Sequence, residues 1–213
     1  MAHEAPLYPV SLVVAGRQCL VVGGGPVAAR KVEGLLGCGA LVTVVAPEVV
    51  PAIGAGGSHA LTIETRTYRP GEAAGYRLVV TATGVPAVDQ AVAADAEAAG
   101  VWVNSADDVT NCTFLLPAVH RDGSVTVAVS TGGASPALAG WIRTRLAEAL
   151  GPGVADLAEL LDEARQQVQR SGRSTESVAW QAILDEQVVP LVRQGKVDEA
   201  RAAIRQIIDG TGA

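Results

Sequence analysis

A doubly wound α/β fold, a parallel sheet of Rossmann type covered on both faces, is predicted by three features of this sequence. Its first hundred or so residues alternate short apolar runs with segments of helical spacing, the pattern of parallel strands joined by crossover helices. One junction, Cys19–Leu36, reads CLVVGGGPVAARKVEGLL, in which a buried-type strand passes through three glycines straight into a helix. After Asn111 the alternation stops, and a strand pair is followed only by helical spacing. The first part is therefore read as residues 1–112, a small strand–strand–helix α+β unit as 113–150, and a C-terminal helical region as 151–213.

Each element follows from its own residues. Arg17–Val22 reads as a strand, Val27–Cys38 as a helix with Val27, Ala28, Val32, Leu35 and Leu36 on one face, and Leu41–Val45 as a second strand. Leu61–Thr67 alternates more weakly and is a third strand. Leu78–Ala82 is a strongly apolar buried strand, Pro86–Ala99 an alanine-rich helix, and Val101–Asn104 a short strand. Beyond these, Phe114–Val119 and Val125–Ser130 read as strands, with His120–Ser124 as the loop between them on the strength of its Asp-Gly pair. Ser135 is placed to cap a helix that begins at Pro136. Along that helix Leu138, Ile142, Leu146 and Leu150 recur every four residues until Gly151-Pro152-Gly153 stops it. Val154, Leu157, Leu160, Leu161, Ala164 and Val168 keep amphipathic spacing. Ile183, Leu184 and Val188 suggest a further helix before Pro190, and Val197–Ile208 a last one, capped at Gly210.

The glycine turn carries the chemistry. Gly23, Gly25 and Ala28 fit G-x-G-x-x-G/A after a strand and at the opening of a helix. Gly23 permits the tight turn, Gly25 lets backbone approach a pyrophosphate, and Ala28 lets helix and strand pack closely. The unpaired N–H groups and dipole at the helix start attract phosphate. Gly24, Pro26 and Val27 complete the turn. The acid that usually follows about 20 residues later to hold the ribose is missing from its standard place. Val45-Ala46-Pro47 stands there with only Glu48 nearby, and no arginine follows to take a 2′-phosphate, so these residues leave NAD against NADP open. Thr83 and Gly84, at the end of the fourth strand, are a second place for cofactor contact.

Composition excludes other classes. The 213 residues are 49% hydrophobic and 18% charged, as in globular proteins. A net charge of −6 argues against nucleic-acid binding, though local arginines can still hold an acidic small molecule. No apolar run approaches the roughly 20 residues of a membrane helix, and MAHEAPLYPV lacks the charged and apolar regions of a signal peptide. The cysteines, Cys19, Cys38 and Cys112, form no disulfide framework or C-x-x-C site, and a cytoplasmic setting is expected. His3, His59 and His120 share no ligand spacing, so no metal site is expected.

In sequence order, GGGPVAARK, TVVAPE, VVTATG, VNSADD, FLLPA and VAVSTGGASPALA closely resemble the precorrin-2 dehydrogenases, the dehydrogenase module of siroheme synthase. The resemblance covers roughly residues 7–150. It implies NAD-dependent oxidation of precorrin-2 to sirohydrochlorin, and NAD as the cofactor. Some members also insert ferrous iron, and the residues leave that open here. The resemblance further implies a homodimer joined through the middle unit. Some members carry a methyltransferase domain after this module, which is not expected in a chain ending at Ala213. By residue, Gly23–Val27 match the pyrophosphate turn, Pro47 and Glu48 the region of the adenosine ribose, and Thr83 and Gly84 the strand-end contact. Similar proteins often have an acid where Gly84 stands.

The same resemblance makes Asp107 the catalytic candidate, with Asp108 as the neighbouring alternative. Removing a hydride and a proton from a reduced tetrapyrrole needs a base near the nicotinamide, and a carboxylate serves. For a carboxylate-rich tetrapyrrole substrate the best anion site is Ser130–Pro136, where Thr131, Gly132, Gly133 and Ser135 offer open backbone before a helix start. Support from Arg121 or Arg143 is a further possibility. The competing expectation is a dinucleotide-dependent regulatory domain without redox turnover. The strand pair, STGGASPALA and the C-terminal helices weigh against it.

Overall fold

In the computed structural model, which describes residues 6–184 and 188–210, the first strands form one parallel sheet. They are β1 (Gln18–Val22), β2 (Leu41–Ala46), β3 (Leu61–Thr65), β4 (Leu78–Thr81) and β5 (Trp102–Ser105), in the order β3-β2-β1-β4-β5. Two helices, α1 (Pro26–Leu36) and α2 (Pro86–Ala98), cover its opposite faces. Strand periodicity explains why both faces are apolar. Successive side chains of β1 point to opposite sides, so Cys19 and Val21 pack with Ala28 and Val32 of α1. Leu20 and Val22 pack with Val92, Ala93 and Ala96 of α2. A strand buried on both sides must be apolar throughout, as LVV and LVVT are. Cys19 is fully buried as expected, and burial pushes its thiol up to about 11.

β3 is an edge strand, which explains its weaker pattern: among the described residues it pairs with β2 alone, and it keeps much of its length exposed. The strand order reverses between β1 and β4. In doubly wound sheets ligands enter the crevice at the carboxyl ends of the strands beside such a reversal.

Contacts divide the chain into two compact units, Met1–Leu116 with Gly132–Ala134, and Pro117–Thr131 with Ser135–Ala213. In the second, β6 (Ala118–Asp122) and β7 (Val125–Val129) form an antiparallel hairpin packed on α3 (Pro136–Leu150). Two expectations change here. His120, read as part of a loop, lies within β6 opposite Val127, because the turn is the two-residue Gly123-Ser124 between Asp122 and Val125. The leucine stripe of α3 is not buried as a stripe. Ala139 is its buried residue, while Leu138 and Leu146 remain 47% and 42% exposed. A two-stranded hairpin is too narrow to cover more than one strip of helix.

The helices α4 (Val154–Arg170), α5 (Trp180–Ile183), α6 (Val189–Arg193) and α7 (Val197–Gly210) complete this unit. Leu160, Ala164 and Val168 of α4 pack against Val192, Ala200, Ile204 and Ile208, the i, i+4 rows expected of facing amphipathic helices. The short helix α5 precedes Pro190, as expected, and Pro190 itself sits in the first turn of α6, where its missing N–H costs nothing. The opening residues read for a signal peptide lie partly, and His3 wholly, outside the described residues. Among those described, no helix is long and apolar enough to cross a membrane.

Candidate active site

Three sequence-distant segments converge at the carboxyl ends of β1, β2 and β4, and the glycine turn is what brings them together. Gly23 has a φ of +125°, and a Cβ there would overlap the Ala82 carbonyl. Only glycine allows that approach of the turn to the end of β4. At Gly24 a Cβ would overlap the Glu48 carbonyl, and Val50 N–H donates to the Gly24 oxygen at 2.8 Å. These two glycines are thus explained by packing of the chain on itself.

Gly25 is different. Its φ is −83°, and nothing lies within 4 Å of the position a Cβ would take. No packing contact requires glycine there, although glycine suits an N-cap. A ligand whose phosphates approach the backbone does require it. Gly25 also caps α1 without a side-chain hydrogen bond, and no acidic residue occupies the first turn. The helix start therefore keeps its positive end and its unpaired donors, and the residues fit a dinucleotide pyrophosphate. Pro26 fills the first helical position, Val27 follows it, and Pro47 and Glu48 are exposed beside the turn.

The end of β4 is held by Asp89, a residue the sequence reading did not single out. It is 6% exposed and lies in the first turn of α2. One carboxylate oxygen accepts from the hydroxyls of Thr81 and Thr83 and from the Thr83 N–H. Thr83 and Gly84 are thereby fixed at the crevice, Gly84 at a φ of +70°. An acid in the first turn of a helix, just after a strand ending in Thr-x-Thr, was the available signal.

Next to it is an open pocket of about 440 Å³ lined by Gly84, Asp89, Ser105 and Asp107, among others. The two neighbouring acids after β5 have unlike surroundings. Asp108 caps a short turn of helix at Val109–Asn111. It accepts from the Thr110 N–H at 2.9 Å, the Thr110 hydroxyl at 2.6 Å and the Asn111 amide at 3.2 Å. The two bonds from Thr110, its hydroxyl first and then its N–H, hold the carboxyl below the usual range. Asp107 is exposed to the pocket and makes no hydrogen bond or ion pair among the described residues. Beneath this loop lies Cys112, which no motif flagged. Its sulfur accepts from Ser105 N–H at 3.1 Å and meets the Ser105 and Asp108 carbonyls at 3.3 and 3.4 Å. Burial is the main reason its thiol is pushed up, so it acts as a neutral tie.

The Thr131–Ser135 segment is more self-contained than its glycines suggest. The Thr131 hydroxyl accepts from Ser135 N–H and donates to the Ser135 carbonyl, both at 3.0 Å. The Ser135 hydroxyl caps α3 by accepting from Leu138 N–H at 3.2 Å. Gly133, at a φ of +84°, would bring a Cβ to 3.2 Å from Val109, so packing alone accounts for that glycine. Gly132, at a φ of +62°, faces open space. Among the described residues no three His, Cys, Asp or Glu side chains gather as a metal site.

Comparison with known proteins agrees with this geometry. A family model described as "Putative NAD(P)-binding" matches residues 10–118, and one described as "Sirohaem biosynthesis protein central" matches residues 122–149. The siroheme synthase of Methylobacillus flagellatus is 33% identical over 207 residues, covering 96% of this chain and 44% of that protein. The siroheme synthase of Chromobacterium violaceum is 35% identical over 209 residues, covering 97% and 44%. The chain thus spans less than half the length of the curated relatives it matches. Among solved structures, one titled "SirC, precorrin-2 dehydrogenase" superposes with a TM-score of 0.74 at 28% identity, covering 94% of this chain and all of the other. The glycine turn, the strand reversal and a match over more than half its length together make this chain a member of that NAD(P)-binding family, in the form joined to a sirohaem biosynthesis central segment.

Proposed function

We propose that this protein is an NAD-dependent dehydrogenase that oxidises precorrin-2 to sirohydrochlorin in siroheme biosynthesis. The observation that carries the reading is the unpartnered Asp107 carboxylate, lining a pocket at the strand ends beside a turn whose Gly25 leaves the start of α1 open to a ligand. The relatives' names point to the same chemistry. Bound NAD would supply the hydride acceptor. Gly23–Val27 would hold the pyrophosphate on the start of α1, with Pro47 and Glu48 toward the adenosine ribose and Thr83 and Gly84 at the end of β4. Asp107 would accept the proton that leaves the macrocycle as the hydride departs, so that precorrin-2 and NAD⁺ give sirohydrochlorin, NADH and one proton. Asp89 would act through Thr83, and Asp108 and Cys112 through the loop that carries Asp107. Thr131, Gly132, Gly133 and Ser135 would receive substrate carboxylates.

Incubation with precorrin-2 and NAD, followed by absorbance, tests the reading. NADH and the sirohydrochlorin spectrum should appear together in equal amounts. NAD binding without turnover would instead indicate the regulatory alternative. In the same assay the KM for the tetrapyrrole should rise with salt more than the KM for NAD does, because exposed charge contacts are screened. A salt-independent KM would move the carboxylate site away from that exposed loop.

The assembly we propose is a homodimer joined through the hairpin and α3, with residues 113–150 as the dimerisation and substrate segment and 151–213 as a helical region. Its support is the apolar surface on α3, where Trp141 is 59% exposed beside Leu138 and carries Arg145 over its ring at 5.6 Å. Large exposed apolar groups gathered on one helix mark an interface. Sedimentation equilibrium should give the mass of two chains, and Trp141→Glu should give one. A monomeric parent protein at micromolar concentration would reject the dimer.

A further inference from the structure

The carboxyl end of β2 is where a doubly wound fold meets the adenosine ribose, and a nearby arginine there accommodates a 2′-phosphate. Along the chain no basic residue follows Val45 closely, but the sheet brings one in. Arg66 stands one residue beyond the Ala46–Thr65 pair, and its N–H donates to the Ala46 carbonyl at 3.0 Å. With adjacent strands about 4.8 Å apart, its backbone lies beside Pro47, next to Glu48.

This arginine is held on both sides by carboxylates. Its Nε donates to Glu64 Oε2 at 2.7 Å, and its Nη1 to the Thr67 carbonyl at 3.0 Å and Glu72 Oε1 at 3.1 Å. Its Nη2 reaches Glu72 Oε2 at 2.8 Å and Glu64 Oε2 at 2.5 Å. A guanidinium has five N–H donors in a fixed fork; four of them make hydrogen bonds here, and Nη2 is in addition ion-paired to Glu64. Glu72 also accepts from Arg69 N–H at 3.1 Å, which ties the cluster to the turn after β3. Glu64 and Glu72 are matched in charge by Arg66 and Arg69, and Glu48 tips this corner to a net negative charge.

We infer that Glu64 and Glu72 are specificity-determining residues, which hold the Arg66 fork between two carboxylates and so set the preference for NAD over NADP. The inference rests on the cofactor reading above and extends it to a specific pair of side chains. A 2′-phosphate brought to this corner meets carboxylates and an arginine whose fork is already engaged by both of them. A free ribose 2′-hydroxyl carries no charge to be repelled. Without the two acids, the same guanidinium would be a free bidentate fork at the place where phosphate recognition needs one.

The test measures dissociation constants for NADH and NADPH by nucleotide fluorescence, on full-length protein, in Glu64→Gln/Glu72→Gln and in Glu64→Ala/Glu72→Ala. Two versions are used because alanine opens the fork fully, while glutamine keeps the local hydrogen bonds and protects folding. The NADPH affinity relative to NADH should rise roughly 10- to 100-fold in at least one folded variant, in line with charge-assisted bonds to phosphate. The gain should shrink as salt is raised. Adding Arg66→Gln to that variant should return the ratio to within a few-fold of the parent. If the parent binds NADH and neither folded double variant changes the ratio, this inference fails alone. A gain that survives Arg66→Gln also rejects it, since loss of negative charge without the arginine would then suffice. A parent that binds neither nucleotide would overturn the cofactor reading and this inference with it.

Discussion

Asp107→Asn should lower the rate of precorrin-2 dehydrogenation by roughly 10²- to 10⁴-fold, the span expected for loss of a positioned general base. NADH binding should remain. The substitution keeps size and one acceptor oxygen, and Asp107 has no partner among the described residues to lose, so folding gives no competing explanation. Asp108→Asn is the matched control. Asparagine caps helices about as well as aspartate, so the turn at Val109–Asn111 should persist and activity should fall less than about tenfold, far below a general-base loss. Rates from stopped-flow absorbance would separate the two. An active Asp107→Asn with a dead Asp108→Asn would move the base by one residue, and two active variants would remove the proposal.

Gly25→Val should abolish NAD binding while leaving a folded protein. The backbone at 25 lies in a region open to any residue, and a Cβ there meets no protein atom within 4 Å, so valine costs what a weaker N-cap does, about 1 kcal/mol. It would fill the approach to the unpaired N–H groups of α1. In a thermal melt, NAD at about 100 times its dissociation constant stabilises a protein by about 2.7 kcal/mol. That shift should vanish in Gly25→Val, whose melting temperature without NAD should stay near the parent's. Gly23→Val and Gly24→Val are no substitute, because both put a side chain into a backbone carbonyl and should fail through misfolding. A folded Gly25→Val with parental NAD affinity would falsify the pyrophosphate assignment. By the same logic Gly133→Val is a poor probe of substrate binding, since Val109 already occupies that space.

Local chemistry made much of this molecule legible. Apolar runs such as LVV and LVVT need burial on both faces, which fixes strands in a parallel sheet between helices, and β1, β2, β4 and β5 lie within a residue or so of their expected bounds. The glycine turn was equally readable, because its residue types answer to backbone geometry inside one short segment. Strand boundaries failed where pairing decided them. His120 is in β6 because Val127 lies opposite, and nothing in HRDGS alone requires a turn as short as Gly123-Ser124.

Only tertiary structure could separate Asp107 from Asp108. Both are exposed acids in one loop, and their difference lies in which of them the Thr110 N–H and hydroxyl reach. Asp89 and Cys112 became visible in the same way, as partners of groups that folding brings near. Arg66 is the clearest case. It lies twenty residues from Ala46 in sequence and bonds to it in the sheet, and its donors are engaged by two acids that meet it only when β3 and the turn after it fold. Sequence determined what each segment must bury, because burial depends on local composition and period. Which polar groups remain free to act depended on long-range pairing, because a donor or acceptor is spent or spared by neighbours the chain supplies from elsewhere.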